Sequence, residues 1–348
     1  MSERIFWKDK LRANPIPWLL EPDTSQPAIR YFTLRHILGY PDDEVGVKEA
    51  LAANMLTGPV PAILAAQEQD GYWDKPGPGY GPKYRGTQWA IVFMAQLGAD
   101  GNSPQVRAGC EYVLSHAIAG NGSLSANGTP SGFAHCMAGN LGAALIDLGW
   151  LTDQRLQAAL EWLAQTITGD GVADSTSRDT NKRYYKSGNS GPLFACSVNV
   201  GLPCAWGAIK AMLALSRVPL SLRTQRMQAA IQQGVAFLLS YDPAVADYPF
   251  GMGNRPSSSW FKFGYPIGYI TDVLQNLEVL AALGQARDAR LANALELVIG
   301  KQDDQGRWPL EYTYNGKTWV DIEKKGQPSK WVTLRALRVL KAVYPETG

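Results

Sequence analysis

The sequence is poor in charge and in the residue types that most often carry chemistry. Only 18% of its 348 residues are Asp, Glu, Lys or Arg, and it holds three histidines and four cysteines. With 33 basic residues against 31 acidic ones and a formal net charge of +2, it lacks the electrostatic footprint of a nucleic-acid binder, so a small or neutral partner is expected. No apolar run approaches the roughly 20 residues that span a bilayer, which excludes a transmembrane helix and leaves peripheral membrane contact open. The opening stretch MSERIFWKDKLRANPIPW is charged and lacks the apolar core of a secretory leader, so the expected location is the cytoplasm. Four cysteines without such a leader argue against a disulfide framework and leave buried thiols, metal ligands or catalysis. Charge-rich low-complexity tracts are missing too, and 45% hydrophobic content points to a large folded core.

What is present is helical periodicity, while strand-like alternation is essentially absent. Segments 28–38, 87–97, 132–148, 204–215, 268–283 and 330–343 are poor in charge and read as helices buried on most faces. Between them, 43–53, 104–115, 153–166, 226–240 and 288–302 carry a polar stripe, with apolar residues at i, i+3, i+4 and i+7, and read as helices with one wet face. The N-terminal stretch completes the exposed set. Alternating buried and exposed helices predict an all-α fold of two concentric rings, six inner and about six outer. No polar linker divides the chain, so residues 1–348 are expected to form one domain.

The helices are punctuated by a repeated motif. Gln67-Glu-Gln-Asp-Gly71-Tyr-Trp73 and Gln302-Asp-Asp-Gln-Gly306-Arg-Trp308 both read Q-x3-G-x-W, with weaker copies at Gly122-Ser-Leu124 and Gly171-Val-Ala173, a spacing of about 50 residues. A glycine there suits a helix that ends in a tight turn at positive φ, and the Trp offers a face to pack on a neighbouring backbone. These segments resemble the QW repeat of squalene-hopene and oxidosqualene cyclases. The resemblance implies an (α/α)6 toroid of the terpenoid cyclase and protein prenyltransferase superfamily. It does not select a reaction, because such folds host several chemistries. The D-x-D-D cluster with which class II cyclases protonate an alkene or epoxide is absent, as is the G-C-G-E-Q stretch of thioester domains.

In such a ring, residues at the starts of inner helices line one mouth of the centre. His135 and Cys136 fall there, as do Cys196 and Cys204, and thiolates at helix N-termini suit zinc or nucleophilic chemistry. A Cys3His zinc site is therefore one candidate, at the layer where the prenyltransferases hold theirs; small buried thiols are the alternative. Cys110 and His116 read as packing and surface residues, and His36 as a core histidine. The aromatic loop 248–272 supplies Trp260, Phe261, Phe263, Tyr265 and Tyr269. With Trp89, Trp206 and Trp331 they are candidates to shape a central pocket whose ring faces stabilise a carbocation. Asp272, following that loop inside an apolar helix, is the candidate acid or charge stabiliser, with Lys262 and Arg255 as alternative ion-pair partners. Two further polar stretches, Trp319–Trp331 and the loop with Asp174, Arg178, Asp179, Lys182, Arg183 and Lys186, suit anion binding, a lid or solvated surface. Three functions follow: an acid-initiated, cyclase-like enzyme with an isoprenoid substrate, a zinc-dependent transferase, and a non-catalytic binder of lipid or peptide.

Overall fold

The structure is a computed structural model and describes residues 6–173, the backbone of 185–186, and residues 188–251, 253 and 256–346. Asp174, Arg178, Asp179, Lys182, Arg183, Arg255 and the Lys186 side chain lie outside the described residues.

The chain is mostly helical. Its α-helices among the described residues are α1 (Ile16–Leu20), α2 (Ala28–Phe32), α3 (Val45–Leu56), α4 (Pro59–Leu64), α5 (Thr87–Gln96), α6 (Pro104–His116), α7 (His135–Asp147), α8 (Gln154–Thr168), α9 (Ala205–Arg217), α10 (Gln225–Leu238), α11 (Val273–Ala282), α12 (Ala292–Gly300) and α13 (Lys330–Val343). Thr33–Ile37 prolongs α2 as a π-helical turn. Among the described residues strands are confined to two-residue pairs, Val172–Ala173 with Tyr185–Lys186 and Trp308–Pro309 with Pro328–Ser329.

The two predicted kinds of helix are distinguished by burial. In α5 every residue from Thr87 to Ala95 is buried. In α8 the buried set Leu156, Ala159, Leu160, Leu163 and Ile167 follows the helical repeat, so one stripe faces protein and the other water. Asp153 caps its start by accepting from the Arg155 amide, and Gly169 ends it at φ 75°. The buried helices pack in the order α5, α7, α9, α11, α13, α2, and each exposed helix lies on a buried one: α6 on α5, α8 on α7, α10 on α9, α12 on α11 and α3 on α2. The short 3-10 turn Trp7–Lys10 lies on α13. At the other end of the series, Asn54 on α3 donates to the carbonyls of Leu97 (2.9 Å) and Gly98 (2.8 Å), just past α5. Gly139 sets the distance between α7 and α9, since a Cβ there would stand 2.2 Å from the Lys210 carbonyl oxygen.

The two Q-x3-G-x-W segments do the same mechanical job. Gln67 donates to the Gln105 carbonyl (2.9 Å) at the start of α6, and Trp73 Nε1 donates back to Ile63 (2.7 Å). Gln302 donates to Lys10 (3.0 Å) and accepts from the Arg12 amide (3.1 Å), while Trp308 Nε1 donates to Val298 (2.7 Å). The second copy thus fastens the last repeat to the first residues of the chain. In the first of the two copies lacking Trp, Leu124 takes its place, buried and bridged to Ile118 as Trp73 is bridged to Gln67.

Gly306 tests this fastening. Its φ is 71° and a Cβ would lie 2.1 Å from the Ala13 carbonyl oxygen, whereas a Cβ on Gly300 meets nothing within 4 Å. Gly306→Ala should lower unfolding free energy by about 1–3 kcal/mol. Gly300→Ala, inside α12, should be neutral or raise it by up to about 1 kcal/mol. Urea denaturation of both variants checks the contrast.

Candidate functional site

Among the described residues, the buried helices enclose two spaces of note. The first is a cleft of about 10 Å³, room for a single water, between the N-terminal halves of α5 and α7, lined by Tyr80, Trp89, Cys136, Met137 and Tyr269 among others. The second is a bowl of about 760 Å³, to which α2 with its π turn, α5, α7, α9, α11 and α13 all contribute, mostly from their C-terminal halves. Segment 264–270 separates them. Gln96 donates to the Ile267 carbonyl and accepts from its amide (both 2.7 Å), Asn140 donates to Gly268 (2.9 Å), and Tyr265 stacks on Trp331 with centroids 4.1 Å apart.

Around the cleft the aromatic faces already hold a cation. Lys83 Nζ stands 4.0 Å from the Tyr269 ring centroid and 5.3 Å from that of Tyr84. Tyr84 packs on Trp89 (5.0 Å) and Tyr314 (4.4 Å), and Trp206 meets Tyr269 edge-on at 5.6 Å. Three thiols share this end. The Cys204 side chain hydrogen-bonds Cys196 and holds that thiol down to about 6, while Cys204 itself is pushed up. Burial pushes Cys136 up to about 11, with Cys196 within electrostatic reach.

His135 departs from the predicted ligand set. Its ring turns outward between the two layers, with Nε2 3.0 Å from the Thr166 hydroxyl on α8 and edge contacts to Phe133 and Phe194. Among the described residues no group of three or more His, Cys, Asp or Glu side chains is placed to hold a metal ion. The helix start that brings Cys136 to the cleft turns its neighbour away from it, because consecutive helical residues diverge by about 100°.

The predicted aromatic set divides. Trp89 and Tyr269 line the cleft and Trp206 adjoins it, whereas Tyr265 and Trp331 form the stack beneath. Trp260, Phe261 and Phe263 line neither space. The 3-10 turn Ser258–Phe261 directs Trp260 to the Pro243 carbonyl (2.9 Å), and Phe263 lies under Lys301, just past α12, at 4.4 Å. Tyr80, Tyr84 and Tyr314 replace them at the cleft; the Gly/Pro-rich run that carries Tyr80 and Tyr84 was the available signal. His36, read as a core residue, is exposed at the rim of the bowl.

Asp272 is buried at the start of α11, where it is bonded on every side. It accepts from the amides of Gln275 (2.7 Å) and Gly264 (3.2 Å) and from both terminal nitrogens of Arg335 (3.0 and 2.9 Å). Among the described residues the partner is Arg335 on α13 rather than Lys262, and Arg335 also meets Glu278 at 2.7 Å. This is the bonding of a helix-capping, ion-paired carboxylate. Between the two spaces sits a group that its apolar surroundings hid in the sequence. Lys210, fully buried on α9, donates to Gln275 (2.8 Å), and desolvation pushes its amine down to about 7.

No family model matches the chain, and no curated protein matches it. Among solved structures, the type II terpene cyclase MstE from Scytonema in complex with geranylgeranyl dihydroxybenzoate aligns with a TM-score of 0.31 and 13% identity, over 82% of this chain and 95% of that one. A variant of the same cyclase bound to merosterolic acid A aligns with a TM-score of 0.30 at 13% identity, again over 82% and 95%. A protein from Actinoplanes aligns with a TM-score of 0.30 and 15% identity, over 82% of this chain and 97% of that one. Likenesses this distant assign neither a family nor a chemistry.

Two titrations follow from the geometry. Alkylation of Cys196 by iodoacetamide, followed by peptide mass spectrometry, should set in below the ordinary thiol range and move back towards it in Cys204→Ala. Lys210 has a folded-state pKa of about 7, below its ordinary 10.5, so the folded protein binds fewer protons and stability is lost as pH falls from 10.5 towards 7. Lys210→Met should flatten that slope and raise the melting temperature at pH 7, read by thermal unfolding across the range.

Proposed function

We propose that the chain is a single-domain (α/α)6 toroid and a terpene-cyclase-like enzyme, taking an isoprenoid-type substrate at the aromatic end of its inner helices. The ring reading is supported by the packing order of the six buried segments and by their joint lining of one bowl. The observation that carries the functional reading is the ammonium of Lys83 over Tyr269 and Tyr84, within a cluster completed by Trp89, Trp206 and Tyr314. Lys83 itself is exposed, but aromatic faces that attract an ammonium are the kind of group that stabilises a carbocation. At about 10 Å³ the cleft admits no substrate as it stands, so this reading requires the Lys83 segment to withdraw when one binds.

Initiation by Asp272 is the most demanding part of the proposal, since the carboxylate must give up Arg335 to carry a proton. Turnover of linear prenyl substrates that survives Asp272→Ala unchanged removes it from the mechanism. A second reading rests on the Cys196–Cys204 hydrogen bond, which favours a thiolate at neutral pH and hence nucleophilic or metal-assisted transfer. One equivalent of zinc in the purified protein, lost in both Cys136→Ala and Cys204→Ala, is the result that would favour the zinc-dependent version.

The primary reading predicts that a prenyl amine binds as a carbocation mimic. In isothermal titration, N,N-dimethylfarnesylamine should bind at least about tenfold tighter than farnesol, about 1.4 kcal/mol, and Tyr269→Leu should erase the difference. Equal binding of the two ligands, or a preference unchanged in Tyr269→Leu, refutes the aromatic site.

A further inference from the structure

We infer that the bowl at the C-terminal ends of the inner helices binds an organic monocarboxylate, an acid head on an apolar body, with Arg338 as its counter-ion. The site lies across segment 264–270 from the aromatic cleft and does not depend on the cyclase reading.

The bowl, about 760 Å³, is of the size that small-molecule sites occupy. Its walls are largely small or aliphatic side chains, Ala95, Ala143, Ala144, Ala281 and Val339 among them, which leave room for an apolar body. The ionised groups lining it are otherwise matched. Arg217 meets Asp147 at 3.2 Å, Arg335 meets Glu278 at 2.7 Å and Asp272 at 2.9 Å, and Asp100 at the rim accepts from the Asn102 amide at 2.9 Å. Arg338 remains. Its Nε and Nη2 are buried without a hydrogen-bond partner, and its guanidinium rests on the Phe32 ring, 5.0 Å from the centroid.

A desolvated guanidinium with unused donors is costly unless an anion meets it. The Nε and Nη2 donors form the edge onto which a planar carboxylate fits with two parallel bonds. What Arg338 lacks is a hydrogen-bond acceptor for Nε and Nη2 rather than nearby negative charge, and the neighbouring Asp147 and Glu278 disfavour a dianionic phosphate more than a monocarboxylate. Burial brings Arg338 down to about 10, a shift that a bound carboxylate reverses.

Isothermal titration of the whole protein with decanoate, decanol and decyl phosphate tests the assignment. Decanoate should bind saturably and at least about tenfold tighter than decanol. Arg338→Gln should reduce the two to the same affinity, and Ala342→Trp, which fills the bowl from an exposed position on α13, should abolish both. Should Arg338→Gln not fold, Arg338→Lys serves in its place, keeping the charge while losing the fork and weakening decanoate alone. Equal affinities for decanoate and decanol, decanoate binding that survives Ala342→Trp, or tighter binding of decyl phosphate than of decanoate would overturn the proposal.

Discussion

The buried pair of Asp272 and Arg335 governs how the centre of this protein is built. Asp272 caps α11 and takes both terminal nitrogens of Arg335 from α13, while the same guanidinium donates to the Gly264 carbonyl at 2.8 Å. Two neighbouring helices and the start of the crossing segment are therefore fixed by one set of charged hydrogen bonds. Burying such a pair is expensive, and removing either partner leaves the other uncompensated. The return on that cost is position: with Gly264 held, Tyr265 stacks on Trp331 and Ile267 meets Gln96, and the segment stays across the axis.

Because that segment is anchored, the two ends of the set of buried helices have different chemistries. One end collects aromatic faces and thiols around a closed cleft, where charge is represented by Lys83 lying on Tyr269. The other is an open bowl in which arginines and carboxylates pair off and Arg338 does not. Lys210 stands between them, bonded to Gln275, which itself lines the bowl. Burial pushes the Lys210 amine down to about 7.

The helices were readable, and the site was readable only in part. Periodicity separates α5 from α8 because burial on all sides and burial on one stripe leave different patterns along a chain. The thiols were placed at one end because helix starts can be recognised from turn chemistry. His135 adjoins Cys136 in sequence, yet its ring lies against Thr166 of α8, since adjacency in sequence does not fix which side of a helix start faces the centre. Trp260, Phe261 and Phe263 belong to the richest aromatic loop, yet a single 3-10 turn carries Trp260 to the layer interface. Tyr80 and Tyr84 come from a loop with little periodicity to mark it.

The sequence by itself determined that the chain would be helical, that buried and exposed helices would alternate, and that Q-x3-G-x-W turns would join them. Those are properties of neighbours a few residues apart: the apolar repeat of a helix, the glycine a tight turn requires, the Trp that folds back on its own helix. Tertiary structure alone decided which charges meet. Arg335 reaches Asp272 across 63 residues, Gln302 reaches Lys10 across 292, and Arg338 is left without an acceptor because its neighbours are already matched. Pairings at such separations depend on how the helices come together around a shared centre, and no local pattern encodes them.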